Sequence, residues 1–329
     1  MVRILMLSKW HVHAEDYARD VANHPDAEIT CVWDEDAQRG AKWAAELSVP
    51  FEADLEKAVA REDVDAVIVD SPTTDHRRVI VAAANAGKHI FTEKALAATL
   101  EDCKAISEAV KKSGVKFCIS HPHLTTSVAQ YAKQAIDEGW LGKIHYMRMR
   151  MAHAGSLHGW LPQYWYDCDK AGGGAMMDLG CHPVYTALHL LGTPVRVASV
   201  FNTTVAPAPA DDNAVSVVEF EGGAIAVLET AFVSPYHTDH FELLGTEGAI
   251  IHTGKNPGEL KVRSNKFGEG WFRPDRLPAP LPSSMRMWLA AIQKNTDIPF
   301  DMAKAIALTD LLEKAYDSHK EQRIVPING

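Results

Sequence analysis

Short apolar runs of β-forming residues alternate with amphipathic helical stretches through the first third of the chain. The β-rich runs are "RILML", "EITCVWD", "VDAVIVD", "KHIFT" and "VKFCIS", and the segments between them have the apolar spacing of helices. Strands that are apolar on both faces and alternate with helices indicate a parallel sheet covered on both sides. Gly87 and Gly114 follow two of the helical stretches, where C-terminal caps belong. The sequence therefore predicts a doubly wound α/β domain over residues 1–121.

The pattern changes in the remainder of the chain, residues 122–329. A helix near 125–138 and a strand near 143–152 precede helical signal at 174–191. Residues from 194 to about 263 are mostly strand, separated by turn signals such as "EGG" and "TEG", and helices near 283–295 and 301–320 follow. These features predict an α+β domain built on one large, mainly antiparallel, open sheet. Two domains also suit a length of 329 residues.

Composition excludes several classes of function. The formal net charge is -10 and there is no basic block, so we do not expect nucleic acid as a partner. The longest apolar runs are far shorter than the ~20 residues that span a bilayer, so no membrane span is expected. We interpret the apolar N-terminal stretch as a first strand rather than a signal peptide. Five cysteines without a C-x-x-C pair favour reduced thiols in a cytoplasmic protein.

The turn after the first strand, "MLSKWHVHAEDY", contains no glycine. A dinucleotide site usually has G-x-G-x-x-G there. The helix N-terminus still suits an anion, and Ser8, His11 and His13 can supply side-chain donors. Asp34 ends the second strand, where an acidic residue bonds the adenosine ribose hydroxyls and repels a 2′-phosphate, which favours NAD over NADP. The alternative is that Asp34 only caps the helix that starts near Asp36.

Several segments resemble, in order, the glucose–fructose oxidoreductase/inositol dehydrogenase/MocA-like (Gfo/Idh/MocA) family of sugar oxidoreductases. They are "SPTTDH", "AGKH", "EKA", "AGGGAMMDLGCHP" and "ELLGTEGAI". The chain departs from the family pattern in its glycine-free turn, in Ala95 for an expected proline, and in Tyr185 where many members have aspartate. The stretch "ISHPHL" replaces one where many members carry an arginine, which suggests an altered substrate pocket.

The resemblance implies an N-terminal Rossmann domain that binds NAD(P) and a C-terminal sheet domain that covers the nicotinamide. Lys94, Asp178 and His182 match the family's catalytic residues. The chemistry suits them, since an imidazole can accept the hydroxyl proton and an ammonium can stabilise an alkoxide-like transition state. Asp178 and His182 share one face if the segment is helical, although Pro183 predicts a kink. The implied cofactor contacts also include Ser71, Pro72, Thr73, His76 and Glu93.

The aromatic stretch "HGWLPQYWYDCD" is the predicted sugar-binding segment. Aromatic faces pack against sugar C–H groups, so Trp165 and Tyr166 are the expected contacts, with His158 and His237 behind them. His121, at the end of the last strand of the first domain, also points toward the expected cleft. Core or subunit-interface packing is the alternative for either aromatic residue.

Two His-x-His pairs, His11/His13 and His121/His123, have a spacing found in metal sites. No third ligand has convincing spacing in the sequence, so we predict no metal site.

The sequence therefore predicts an NAD-dependent oxidoreductase that acts on a secondary hydroxyl of a sugar, inositol or related polyol. By resemblance it is a homodimer or homotetramer that pairs through its open sheet. Two alternatives remain open. One is a glycosidase that retains NAD and oxidises its substrate transiently. The other is a non-catalytic sugar-sensing protein on the same fold.

Overall fold

The computed structural model describes residues 1–236, 238–255 and 258–327. The chain divides into two compact units, Met1–Ser120 with Ser283–Ile306 and His121–Pro282 with Ala307–Gly329. The predicted division put residues 283–306 in the second domain, whereas the structure places them in the first unit. Their anchor is Trp288, which is fully buried, lies 5.7 Å from the Phe91 ring and donates its indole N–H to the Lys116 carbonyl at 3.5 Å. Burial of a tryptophan outweighs sequence order in deciding where this segment packs.

The first unit contains a five-stranded parallel sheet in the order β2-β1-β3-β4-β5. Its strands are β1 (Val2–Leu7), β2 (Ala27–Trp33), β3 (Ala66–Val69), β4 (His89–Thr92) and β5 (Phe117–Ile119). The strands are short and mostly buried, as expected for a sheet with helices on both faces. The prediction of a doubly wound parallel sheet is confirmed.

Five helices connect these strands and have recognisable ends. They are α1 (Ala14–Ala22), α2 (Ala37–Leu47), α3 (Leu55–Ala60), α4 (His76–Asn85) and α5 (Leu100–Ser113). The Asp36 side chain caps α2 by accepting the N–H groups of Gln38 and Arg39. Gly114 ends α5 at a φ of 67°, in the left-handed region that favours glycine. The ends of the strands therefore lie at fixed positions, and the side chains that follow them are fixed as well.

The second unit contains an eight-stranded sheet in the order β12-β11-β10-β6-β9-β8-β7-β13. All neighbouring strands are antiparallel except β6 and β9, so the prediction of a large, mainly antiparallel sheet is confirmed. Its strands are β6 (Ile144–Ala152), β7 (Pro194–Asn202), β8 (Asn213–Phe220), β9 (Ile225–Ala231), β10 (Asp239–Gly245), β11 (Gly248–Thr253), β12 (Glu259–Ser264) and β13 (Val325–Pro326).

The helical segment that carries Asp178 and His182 is broken between these two residues. The helices of the second half of the chain are α6 (Ser127–Asp137), α7 (Cys168–Ala171), α8 (Ala175–Asp178), α9 (Cys181–Leu191), α10 (Ser284–Lys294) and α11 (Met302–Glu321). The expected continuous helix over 174–191 is therefore two helices. A Cβ atom on Gly180 would lie 2.6 Å from the Met176 carbonyl oxygen, so the break requires glycine. Pro183 lies in the first turn of α9, where its missing N–H is tolerated, and the expected kink is replaced by a new helix start.

A buried carboxylate fixes the start of α8. Asp211 accepts the N–H groups of Gly174 at 3.0 Å and Met176 at 2.8 Å, and the Tyr316 hydroxyl at 2.7 Å. A Cβ atom on Gly174 would lie only 2.1 Å from the Asp211 carbonyl oxygen. The glycine at this position therefore lets the backbone pack closely against Asp211. This network positions Asp178, the last residue of α8.

None of the helices in the described ranges combines the length and apolarity needed to cross a membrane. None of the five cysteines forms a disulfide, and four of them are buried.

Candidate active site

The residues predicted to carry the chemistry fall into two groups, one in each unit. In the first unit they follow the carboxyl ends of the parallel strands, which is where open α/β sheets bind ligands. In the second unit they lie on α8, α9 and the loops beside these helices.

Glu93 and Lys94 follow β4 directly, and both are buried. Glu93 Oε1 lies 3.0 Å from His13 Nδ1 and accepts the Tyr17 hydroxyl, while Oε2 accepts the Lys94 backbone N–H at 2.9 Å. His11 Nε2 lies 3.9 Å from Oε2. Burial alone would raise the pKa of Glu93, but the two imidazoles and Lys94 together hold it well below its usual range. The site therefore contains a buried, ionised carboxylate at the edge of the sheet.

Tyr17 is a member of this group that the sequence analysis missed. Its hydroxyl contacts Glu93 and lies 2.8 Å from Ser120 Oγ. Burial of this hydroxyl, and then the charge of Glu93, raise its pKa well above the usual value, so Tyr17 remains a hydrogen-bond donor. The only hint in the sequence is that Tyr17 lies four residues after His13, which places both at one face of the start of α1.

The glycine-free first turn adopts a conformation that usually calls for glycine. Ser8 is fully buried and has a φ of 80°, in the left-handed region. Its hydroxyl accepts the Trp10 N–H at 3.0 Å, which stabilises the turn. A serine thus provides the left-handed residue of this turn, and His11 and His13 lie near Glu93.

Asp34 lies at the end of β2 as predicted, but its carboxylate is already engaged. Oδ1 accepts the Asp36 N–H at 2.8 Å and Arg39 Nη2 at 2.6 Å; Oδ2 accepts the Lys9 N–H and Arg39 Nε, each at 2.9 Å. A carboxylate has about four lone-pair positions, so a ribose hydroxyl is accepted only after one donor moves. Asp36, and not Asp34, caps α2. Arg39 is the residue here that the sequence analysis did not consider.

The turn after β3 supplies buried polar groups that suit a ligand. Within the described part of the chain, both carboxyl oxygens of Asp70 and the Ser71 hydroxyl are buried without a hydrogen-bond partner. Burial and the neighbouring Glu93 carboxylate raise the pKa of Asp70 well above its usual value, which favours its protonated form. Buried polar atoms are costly to leave unpaired, and these lie at the ligand-binding edge of the sheet. They fit a ligand rich in hydroxyl and phosphate oxygens, as a dinucleotide is.

His76 holds this turn rather than facing outward. It is buried, with Nδ1 3.0 Å from the Leu96 carbonyl oxygen and Nε2 3.0 Å from the Ser71 carbonyl oxygen. Burial lowers its pKa, so the neutral ring donates to one of the two carbonyl groups at a time. Pro72 and Thr73 are buried in the same turn.

In the second unit, His182 is paired with Tyr185. Nδ1 of His182 lies 2.8 Å from the Tyr185 hydroxyl, which also accepts the His123 N–H at 3.1 Å. The His121 ring stacks on Tyr185 at 4.3 Å, and the His123 ring lies 4.7 Å from that of His182. His182, Tyr185 and His121 are buried. The residue that departs from the family pattern is therefore the hydrogen-bond partner of the predicted base.

Asp178 is oriented from the aromatic loop. Its Oδ2 accepts the indole N–H of Trp165 at 3.3 Å, and Trp165 is only 4% exposed. Tyr166 is partly buried and donates its hydroxyl to Ser156 Oγ at 2.8 Å. Trp165 thus packs in the interior and holds Asp178. His158 is exposed, and His237 lies outside the described residues.

Two family models match the chain. Residues 11–121 match the oxidoreductase family with an NAD-binding Rossmann fold, and residues 129–251 match the GFO/IDH/MocA C-terminal domain. The fold and these matches define an NAD-binding oxidoreductase. The chain belongs to the Gfo/Idh/MocA family, which confirms the predictions of the family, an oxidoreductase and NAD as cofactor.

Named relatives span more than one activity. The chain is 32% identical to scyllo-inositol 2-dehydrogenase (NAD(+)) of Bacillus subtilis (strain 168), over 73% of this chain and 70% of that protein. It is 30% identical to 2,7-anhydro-N-acetylneuraminate hydratase of Escherichia coli (strain K12), over 75% and 67%. A solved structure of levoglucosan dehydrogenase with NADH and levoglucosan has a TM-score of 0.87 at 21% identity and covers 100% of both chains. This structural similarity shows that the two proteins share the same fold.

We expect Tyr185→Phe to lower kcat about five- to tenfold with little change in KM. The variant removes the hydroxyl that orients His182, and loss of one hydrogen bond is worth about 1 kcal/mol. Tyr185→Asp replaces the hydroxyl with a charge that favours the imidazolium, so the acid limb of the pH–kcat/KM profile should move to higher pH. Steady-state kinetics across pH, with melting temperatures to check folding, provide the measurement.

Tyr146→Phe is the matched control, because Tyr146 is a half-buried tyrosine on β6. Unchanged kcat and an unchanged pH profile in both Tyr185 variants would contradict a positioning role.

Proposed function

We propose that this protein is an NAD-dependent dehydrogenase that oxidises a secondary hydroxyl of a sugar, inositol or related polyol. The observation that carries the proposal is a buried Glu93–Lys94 pair at the carboxyl end of an NAD-binding sheet, in a chain that also holds a buried His182 bonded to Tyr185. The scyllo-inositol dehydrogenase relative supports a cyclic polyol as the type of substrate.

Each catalytic residue has a role that suits its environment. Bound NAD supplies the hydride acceptor. The Lys94 ammonium donates to the reacting oxygen and stabilises the negative charge that develops there. His182 accepts the hydroxyl proton, with its ring held by Tyr185. Asp178, held by Trp165, accepts a neighbouring substrate hydroxyl.

We assign cofactor binding to the predicted first domain, residues 1–121. The first turn contributes Ser8, His11 and His13, and Glu93 and Lys94 follow β4. The turn after β3 contributes Ser71, Pro72 and Thr73, with His76 holding that turn in place. Asp34 contributes to the adenosine ribose end together with Arg39.

We assign substrate binding and subunit contacts to the predicted second domain, residues 122–329, with His121 at its boundary. Besides Asp178 and His182, the proposed substrate contacts are Tyr166, His158 and His237. Trp165 acts through Asp178, because it is buried and donates to that carboxylate.

A second candidate is a lyase or glycosidase that oxidises its substrate transiently and restores NAD in each cycle. The hydratase relative favours it, since that protein's name describes no net oxidation. The same catalytic residues would carry out either reaction. The two activities are distinguished by their products, because only a dehydrogenase accumulates NADH.

A non-catalytic sugar sensor is the third alternative. Calorimetry showing sugar binding but no dinucleotide binding would favour it.

We expect Lys94→Ala and His182→Ala each to lower kcat about 100-fold or more, because each removes a group that acts in the transition state. The assay follows NADH absorbance with NAD and a panel of inositols and aldoses. Lys57→Ala and His145→Ala are matched controls at exposed positions and should retain full activity. Wild-type rates in both active-site variants, with unchanged melting temperatures, would reject this site.

We expect Arg39→Ala to shift cofactor preference toward NAD about tenfold. Arg39 lies in the first turn of α2, where its guanidinium pairs with Asp34 and can also pair with a 2′-phosphate. Its removal frees the Asp34 carboxylate to accept a ribose hydroxyl. The ratio of the NADP and NAD dissociation constants, measured by calorimetry, tests this. Arg61→Ala removes another paired guanidinium and should leave the ratio unchanged. A shift toward NADP in Arg39→Ala would contradict this assignment.

We also propose a cytoplasmic homodimer or homotetramer formed through the open face of the large sheet. Val200, on β7, is 75% exposed, and its cross-strand partner Val215, on β8, is 37% exposed. Val217 and Ile225 extend this apolar face at 42% and 45% exposure. Exposed apolar patches on a sheet mark interaction surfaces. Five cysteines without a disulfide fit a reducing compartment.

We expect Val217→Lys to dissociate the oligomer, because it places a charge in the centre of this face. Sedimentation velocity should show a dimer or tetramer for the wild type and a smaller species for the variant. Val205→Lys changes an exposed valine outside the strands and should leave the assembly intact. A monomeric wild type would contradict the proposal.

A further inference from the structure

We propose that His11, His13 and Glu93 form a binding site for a divalent transition-metal ion such as Zn²⁺. One nitrogen from each imidazole and one carboxylate oxygen all lie within 4.8 Å of one another. The sequence offered no third ligand for the His-x-His pair, since Glu93 lies about 80 residues away. The fold brings it there because β4 and the first turn meet at the same edge of the sheet.

The donor set suits this class of metal. Two imidazoles and a carboxylate are ligands that Zn²⁺ accepts at about 2.0–2.2 Å, with open positions left for water or another ligand. Ligand atoms around such an ion are about 3–3.5 Å apart. His13 Nδ1 and Glu93 Oε1 are already 3.0 Å apart, and His11 Nε2 lies 3.9 Å from Oε2. The two imidazole nitrogens lie within 4.8 Å of each other, so the cluster reaches this spacing by contracting on the His11 side.

The surroundings of the cluster resemble the outer shell of a metal site. Tyr17 donates to Glu93 Oε1 and the Lys94 N–H donates to Oε2 at 2.9 Å, so the carboxylate is oriented from both sides. His11 and Glu93 are buried, which limits competition from water, while His13 is partly exposed and leaves an approach for the ion. The polar contacts and access that a bound cation needs are therefore present.

Metal binding requires one rearrangement. His11 Nδ1 accepts the His13 N–H at 3.2 Å, which leaves the ring proton on Nε2, the atom that faces Glu93. Coordination through Nε2 requires the tautomer with the ring proton on Nδ1, so the contact with the His13 N–H is given up.

The test is metal binding by the full-length protein after treatment with a chelator. Zn²⁺ titrated in a calorimeter should bind at one equivalent per chain, and Co²⁺ should give visible d–d absorption typical of nitrogen and oxygen ligands. We expect His13→Asn and Glu93→Gln each to weaken binding about 100-fold or more and to abolish the Co²⁺ spectrum. His24→Asn, a change at a half-buried histidine of the same unit, should bind as the wild type does.

No saturable binding of either ion to the folded wild type would overturn the proposal, as would equal affinity in wild type, His13→Asn and Glu93→Gln. His13→Asn changes a partly exposed residue, so it keeps the test valid if the buried Glu93→Gln variant does not fold. The readout is independent of turnover, and failure of this proposal leaves the dehydrogenase proposal unaffected.

Discussion

The buried carboxylate of Glu93 is the constraint on which the first unit's site depends. A charge removed from water is stable only when it is paired and hydrogen-bonded. The chain meets this requirement with two imidazoles from the first turn and a tyrosine hydroxyl from α1. The turn must therefore project side chains toward β4, and a glycine-rich loop has none to project. Ser8 provides the left-handed backbone conformation that glycine usually supplies in such a turn.

The second unit meets a different requirement. The histidine proposed as the base is partnered by a tyrosine hydroxyl, which orients the ring without adding a charge. A carboxylate at the same position would stabilise the imidazolium. The same hydroxyl accepts a backbone N–H from His123, and the His121 ring covers its face. The departures "ISHPHL" and Tyr185, which are separate in the sequence, are thus one packed cluster in the structure.

Much of the architecture is predictable because it follows from periodicity. The predicted parallel sheet and the predicted, mainly antiparallel sheet are both confirmed. The alternation of strands and helices also placed Glu93 and Lys94 directly after a buried strand. Side-chain networks were not predictable. The Asp34–Arg39 pairing, the Tyr17–Glu93 contact and the burial of Trp165 against Asp178 depend on distances between residues that no local pattern specifies. The break at Gly180 was missed because the apolar spacing continues across it, and the close packing of Gly180 against the Met176 carbonyl oxygen is visible only in the structure.

The central claim is that hydride passes from a substrate C–H bond to NAD, and isotope transfer tests it most directly. The enzyme is incubated with NAD and inositols deuterated at their ring carbons, scyllo-inositol first, and the reduced cofactor is analysed by mass spectrometry. The account predicts NADH that carries one deuterium from the substrate, formed in step with the ketone. A substrate that is turned over with no deuterium appearing in NADH would contradict it.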